Sequence, residues 1–208
     1  EILISTGGYM SLPLCLAAKV GNIKIFLLEP NMIIGRANRF FLNFCEKIIC
    51  YDSNIIGFPD KFQNKLKVSH PLIRKKYFDM NYKVDVDRIF TIIIIGGSQG
   101  AKIFDEIVHE SILKISKTKP LKIIHQTNKK NVHFLKKFYT DNKIENIIFD
   151  FDENLNVLLE QADLCITRAG ASSLAEISLL NIPFIAIPLP TAKDNHQLKN
   201  ANYYKDKN

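Results

Sequence analysis

The sequence predicts an α/β protein in which parallel strands alternate with helices in two successive domains. Three observations carry this expectation. Apolar runs alternate with amphipathic stretches along the chain, which is the βαβα signature. Ile92-Ile93-Ile94-Ile95 is apolar at every position, so both faces of that strand must be covered, as at the centre of a parallel sheet. The alternation loosens once, between residues 53 and 89, where Gly57, Pro59, Pro71 and a polar run from Asp79 to Arg88 mark the passage from one α/β unit to another.

Strands are expected at residues 1–5, 23–28, 47–51, 90–95, 121–125, 146–149, 163–167 and 184–187, each an apolar run bounded by turn residues. Helices are expected between them, near 10–19, 33–46, 100–116, 129–140, 153–161, 171–180 and 194–204. The division is then 1–80 for a first domain, 81–89 for a linker and 90–208 for a second. The chain opens on the strand-like Glu1-Ile2-Leu3-Ile4-Ser5 without an initiator Met, and is expected to be incomplete at both ends.

With 208 residues, 47% hydrophobic and 24% charged, the composition is that of a globular protein and excludes a disordered one. No apolar run approaches the roughly 18 to 20 residues needed to cross a bilayer, and no leader is visible, so a cytoplasmic location is expected. Cys15, Cys45, Cys50 and Cys165 lie in apolar runs without ligand spacing and read as reduced core thiols. The net charge of +7 is uneven: residues 1–90 hold 13 Lys/Arg against 8 Asp/Glu, residues 91–208 hold 15 against 13. A basic first part suits an anionic membrane surface or substrate, and equally a solvated lysine-rich face. The stretch Ile33 to Phe44, with Arg36, Arg39 and Lys47 nearby, reads either as an amphipathic helix at an anionic membrane or as a helix packed on the sheet. The lysines from Lys114 to Lys137 lack interleaved aromatics, and no nucleic-acid partner is expected.

Three motifs carry chemistry. In Ile95-Gly96-Gly97-Ser98-Gln99-Gly100-Ala101 a strand enters a glycine turn and then a helix, whose first N–H groups suit a diphosphate. The spacing is neither a dinucleotide fingerprint nor a P-loop, and a plain tight turn is the alternative. Leu164-Cys165-Ile166-Thr167 leads likewise into Arg168-Ala169-Gly170-Ala171-Ser172-Ser173-Leu174-Ala175-Glu176, where Glu176 could grip a ribose diol or simply suit the helix dipole. The third is Pro188-Leu189-Pro190-Thr191-Ala192-Lys193-Asp194-Asn195-His196-Gln197, in which His196 and Gln197 could read sugar hydroxyls or decorate a surface. Two D-x-D strings, Asp85-Val86-Asp87 and Asp150-Phe151-Asp152, sit in the linker and before a helix, where Asp is a natural cap, so no metal is expected.

In order and spacing, G-G-S-Q-G-A, R-A-G-A-S-S-L-A-E and P-L-P-x-A-K-D-N-H-Q-x-x-N-A resemble the donor domain of the lipid-II-forming peptidoglycan N-acetylglucosaminyltransferases, members of glycosyltransferase family 28. Upstream, Gly7-Gly8-Tyr9-Met10-Ser11-Leu12-Pro13 is similar to that family's second glycine loop, and Glu29-Pro30-Asn31 to its H-E-x-N segment. The resemblance covers nearly the whole chain. It implies a GT-B fold of two Rossmann-like parallel-sheet domains facing a cleft, the first incomplete. It also implies inverting transfer of GlcNAc from UDP-GlcNAc to a lipid-linked MurNAc-pentapeptide acceptor, with peripheral contact to anionic membrane at the cytoplasmic face of the bacterial inner membrane. No cofactor or metal is implied, since helix N-termini can face the diphosphate.

By the same resemblance, the donor is held by Gly97, Ser98, Gln99 and Gly100 at the diphosphate, by Gly170, Ala171, Ser172, Ser173, Leu174 and Ala175 along the nucleotide, and by Glu176 at the ribose. His196 and Gln197 hold GlcNAc hydroxyls, Phe151 and Asp152 border the uracil, and Arg74 after His70-Pro71 matches the arginine of an N-P-x-R segment with a one-residue shift. Gly7, Gly8 and Tyr9 meet the acceptor pyrophosphate, with Glu29 as the catalytic candidate and Asn31 near the donor sugar. The chain departs from the family at Leu28, where His is usual, and at His70, where Asn is. The glycine loop bearing the family's general-base histidine would precede Glu1, so binding without turnover is expected of residues 1–208 alone. A non-catalytic or degenerate UDP-GlcNAc-binding chain that needs a partner is the alternative.

Overall fold

The structure, a computed structural model, describes residues 1–78 and 88–207, with the backbone alone at 97–102. In chain order it holds β1 (Ile2–Ser5), α1 (Ser11–Val20), β2 (Lys24–Glu29), α2 (Arg36–Phe41), β3 (Lys47–Cys50), β4 (Leu66–Val68), β5 (Phe90–Ile95) and α3 (Gly97–Ser116). There follow β6 (Leu121–Gln126), α4 (Val132–Asp141), β7 (Glu145–Phe149), α5 (Leu155–Leu159), β8 (Leu164–Thr167), α6 (Ala171–Leu179), β9 (Phe184–Ala186) and α7 (His196–Lys207). The eight expected strands all form, in two sheets ordered β1-β2-β3-β4 and β7-β6-β5-β8-β9. Every pairing is parallel.

The chain divides into two units, Glu1–Leu72 with Pro190–Asn208, and Ile73–Leu189. This departs from the expected division, which gave residues 90–208 to one domain. The reason is local hydrogen bonding by α7: Asn200 Oδ1 accepts the Met32 N–H at 3.0 Å, and Asn200 Nδ2 donates to Asn31 Oδ1 at 3.0 Å. Tyr203 packs on the first unit's core. The boundary also falls earlier, at 72/73, and residues 79–87, which hold most of the expected linker and Asp85-Val86-Asp87, lie outside the described residues.

In the first unit the core draws Cys15 and Ala18 from α1, Ile25 and Leu27 from β2, Phe41 from α2, and Ile48 and Cys50 from β3, among others. The expected helix over 33–46 shrinks to six residues. Its first part is held extended, because Ile34 N–H bonds to Ile56 O at 3.1 Å and Ile56 N–H to Met32 O at 2.9 Å, a pairing that competes with a helical turn. The short β4 had no signal in the sequence: it is three residues long and exposes Lys67 and Val68.

The second unit bears out the reading of Ile92–Ile95. Ile92 and Ile94 join Phe104, Val108 and Ile112 of α3 and Leu135 and Tyr139 of α4 in one core layer. Ile93 and Ile95 join Leu159, Cys165, Ile177 and Leu180 in the other. Alternate side chains of one strand thus serve both faces, each buried isoleucine contributing about 1.5–3 kcal/mol by removal from water. The chain runs β5, β6, β7 outward to one side, then returns to place β8 and β9 on the other side of β5. The gap between β5 and β8 is therefore a topological switch point, the place where open α/β sheets bind ligands at the carboxyl ends of their strands. The four cysteines are buried and free, as expected. Burial, aided by the charge of Glu29, pushes the Cys50 thiol up to about 12, which keeps it unreactive.

Candidate functional site

At the switch point the two glycine motifs come together. β5 ends at Ile95 and α3 begins at Gly97; the adjacent β8 ends at Thr167 and α6 begins at Ala171. Because Ile95 pairs with Thr167 in a parallel ladder, both helices start at the same edge of the sheet, α3 over one face and α6 over the other. The first N–H groups of each helix have no intrahelical partner and carry a partial positive charge, so two donor sets stand at the same edge of the sheet. Gly97, Ser98, Gln99 and Gly100 form the first turn of α3, and Ala171, Ser172 and Ser173 that of α6, capped by Gly170 in extended conformation.

Glu176 stands in the second turn of α6 and is 8% exposed. Arg74 grips it with both arms of the guanidinium: Nε donates to Oε1 and Nη2 to Oε2, each at 2.8 Å. Nη2 also donates to the Tyr77 hydroxyl at 2.8 Å. The hydrogen bond to Glu176 raises the Arg74 pKa, and burial followed by the Glu176 charge pushes the Tyr77 phenol up to about 12. Arg74 and Glu176, singled out separately in the sequence, are thus one unit. Asp152 lies beyond β7 at the same edge of the sheet, where its Oδ1 accepts the Asn154 N–H at 2.7 Å as a turn cap, with Phe151 exposed beside it. Arg168, buried just after β8, donates through Nη1 to the Ile187 and Pro188 carbonyls at 3.2 and 3.3 Å and packs 4.8 Å from the Phe104 ring centroid, tying the end of β9 to α3.

The first unit has a hollow of its own, about 380 Å³, lined among others by Gly7, Gly8, Tyr9, Asn31, Arg36 and His196. Gly7 and Gly8 have φ of 78° and 84°, a region that L side chains rarely adopt, and a Cβ on Gly7 would come within 3.1 Å of the Asn38 amide. Glu29 ends β2 beneath the hollow and is 2% exposed. Its Oε1 accepts Asn31 N–H at 3.2 Å and Asn31 Nδ2 at 3.0 Å; its Oε2 accepts Gly35 N–H at 2.8 Å and Asn38 Nδ2 at 2.9 Å. A carboxylate so engaged holds the 29–38 loop in shape, and the catalytic role expected of Glu29 gains no support from its geometry. Arg36 and Asp194 form an exposed fork at the rim, at 3.1 and 2.7 Å, with Asp194 at a φ of 55°. His196 Nδ1 lies 2.8 Å from the Lys193 carbonyl at the start of α7, and Gln197 follows it.

The expected donor residues therefore divide between the units. Asn31, His196 and Gln197 belong to the first, while residues 97–100, Asp152, 170–176 and Arg74 belong to the second. Sequence reasoning passed over Tyr77, Asn38, Asn200 and Arg168. Only Arg168 and Asn200 stood inside a motif, so only they carried a usable signal. Among the described residues no group of three or more His, Cys, Asp or Glu gathers as metal ligands.

Residues 91–208 match the family model described as the glycosyltransferase family 28 C-terminal domain. The chain is 53% identical over 205 residues to the UDP-N-acetylglucosamine--N-acetylmuramyl-(pentapeptide) pyrophosphoryl-undecaprenol N-acetylglucosamine transferase of Pelagibacter ubique, covering 98% of this chain and 57% of that protein. The namesake from Rickettsia canadensis is 35% identical, with 99% and 60% covered. The chain thus spans about three fifths of the length of these relatives. Among solved structures, Acinetobacter baumannii MurG superposes with a TM-score of 0.78 at 26% identity, covering 100% of this chain and 58% of that one. A UDP-GlcNAc 2-epimerase from Neisseria meningitidis, at 12% identity, a TM-score of 0.59, and 100% and 67% covered, shares the fold alone.

Proposed function

Since the chain belongs to glycosyltransferase family 28, we propose that it is the donor-binding part, with a portion of the acceptor side, of an inverting N-acetylglucosaminyltransferase of peptidoglycan synthesis. In this reading GlcNAc passes from UDP-GlcNAc to an undecaprenyl-pyrophosphoryl MurNAc-pentapeptide. The observation that carries it is the pair of helix N-termini at the β5/β8 switch point, with Glu176 in the second turn of the helix that follows β8. The acceptor hydroxyl attacks the anomeric carbon from the face opposite the diphosphate and gives up its proton to a general base, and the C–O bond to the diphosphate breaks, leaving UDP. Negative charge grows on the leaving group, and fixed N–H donors already aimed there lower the barrier without having to reorganise. Those donors need no metal, and none enters the reading. Glu176 takes the ribose, and Gly7, Gly8 and Tyr9 the acceptor pyrophosphate. Glu29 serves as a loop staple.

Contact with an anionic membrane is supported by exposed Tyr9, Met10, Leu14, Val20, Phe40 and Phe44 among exposed Lys19 and Arg39, and the cytoplasmic face belongs to the same reading. Apolar side chains beside cations suit the headgroup boundary. The test is calorimetric titration with UDP-GlcNAc. Binding is expected, and Glu176→Ala should weaken it about tenfold or more by removing a charge-assisted partner of the diol. A chain that ignores UDP-GlcNAc, or binds it equally well without Glu176, would refute the donor-site reading. A transfer assay with a soluble acceptor analogue then separates the enzyme from a binding module.

A further inference from the structure

We propose that Arg36 is a pyrophosphate-binding residue of the first unit's hollow, held in reserve by Asp194 until an anion displaces that carboxylate. The inference rests on the reading of Gly7, Gly8 and Tyr9 as the acceptor-pyrophosphate loop and deepens it.

The hollow combines a loop that a large anion can approach with cations that can receive it. Nothing stands within 4 Å of where a Cβ on Gly8 would lie, and among the described residues the Gly8 and Tyr9 N–H groups meet no acceptor. Arg36, Lys193 and Asp194 line the same hollow. Glu29 lines it too, but its carboxylate is taken up by four N–H donors of the 29–38 loop. Two cations therefore face one carboxylate around an open, donor-bearing loop.

The bond between Arg36 and Asp194 is of a kind that exchanges easily. Nε donates to Oδ2 at 3.1 Å and Nη2 to Oδ1 at 2.7 Å, but the Arg36 side chain is 71% exposed and that of Asp194 32%. So exposed a pair adds little, because water serves both partners nearly as well. A pyrophosphate offers the same fork two phosphate oxygens and more negative charge, and the planar guanidinium is the side chain that matches such oxygens two at a time. It would also engage the Gly8 and Tyr9 N–H groups, which Asp194 leaves unpaired. Exchange thus replaces a weak partner by a stronger one. Before the ligand arrives, Asp194 keeps a long side chain ordered at the rim, which lowers the entropy lost on binding.

The experiment is calorimetric titration with inorganic pyrophosphate, with UDP held saturating so that the second unit's diphosphate site is filled. The unaltered chain should bind pyrophosphate. Arg36→Gln should weaken it about tenfold, the worth of a charge-assisted bond, and Arg36→Lys, which keeps the charge but not the fork, by less. Asp194→Asn places a residue that tolerates left-handed backbone at a φ of 55°. It should tighten pyrophosphate about threefold by removing the competitor, and the gain should vanish in an Arg36→Gln background. Opposite signs at the two ends of one ion pair mark a competitor. A merely structural pair would move both variants the same way, and a bare charge effect of Asp194 would survive without Arg36, so either result overturns the proposal. If Arg36→Gln does not fold, Arg36→Lys carries the same comparison. Pyrophosphate binding that ignores all the Arg36 and Asp194 variants overturns it too, and Gly8→Ala then tells whether the loop reading survives. No binding by the unaltered chain would remove the loop reading and this inference with it.

Discussion

Glu29 in the first unit and Glu176 in the second are both buried glutamates at the carboxyl edge of a parallel sheet, yet they keep different company. Glu29 receives four N–H donors from uncharged groups within nine residues of itself. Glu176 receives one guanidinium, from a residue 102 positions away whose side chain is more than half exposed. Neutral short-range donors lock a loop, and nothing in that set can leave without stranding its neighbours in a buried place. A cation that reaches solvent can hold a carboxylate in place while leaving acceptor positions open. The first arrangement serves shape and the second suits a ligand.

The sharpest way to break that contrast is Glu29→Ala. It would leave the Gly35 N–H and the Asn31 and Asn38 amides without their acceptor, and the first unit should lose about 2–4 kcal/mol, read as a drop of several degrees in thermal midpoint. An unchanged midpoint would end the staple assignment. A smaller effect is expected at Asp105, the second unit's own staple, which accepts Thr127 Oγ1 and Asn131 Nδ2 at 2.7 Å with the His125 ring 3.4 Å away. Burial pushes its carboxyl up, but the nearby His125 ring and the hydrogen bonds from Asn131 and Thr127 outweigh it and hold the carboxyl below its usual value. With the folded value below the unfolded one, this contribution is fully present at neutral pH and is lost as pH falls below about 4 and through the folded value. Asp105→Asn should cost about 1–2 kcal/mol at neutral pH and flatten the acid limb of midpoint against pH. A wild-type acid limb retained in the variant would place the titration elsewhere. Smallest of all is Arg36→Ala at the exposed Arg36–Asp194 fork, where no shift in midpoint is expected because solvent screens the pair. A measurable loss there would show that the rim loop is held more firmly than its exposure implies.

Periodic and apolar features were legible in the sequence, and paired polar ones were not. The strand over Ile92–Ile95 declares itself because four isoleucines in a row admit little else, and both glycine turns announce the helices that follow. The helix beginning at Arg36 was overestimated because the bond between Ile34 and Ile56 joins segments whose local pattern says nothing of each other. The same holds for Met32 and Asn200, 168 residues apart, whose hydrogen bond draws the last helix to the first unit against the apparent run of the chain. At the site, Glu176 and Arg74 could each be picked from a motif, but their union could not. Tyr77 offered only an aromatic in a polar stretch, and its meaning lies entirely in what it touches.

The return of Pro190–Asn208 to the first unit bears on how the molecule is made. A ribosome delivers residues 73–189 before it delivers Asn200, so the second unit can reach its native state while the first unit, translated earlier, still waits for α7. Between those two moments, the segment from Glu29 to Asn38 is short of one of its buried partners, and newborn chains should be most open to proteases there.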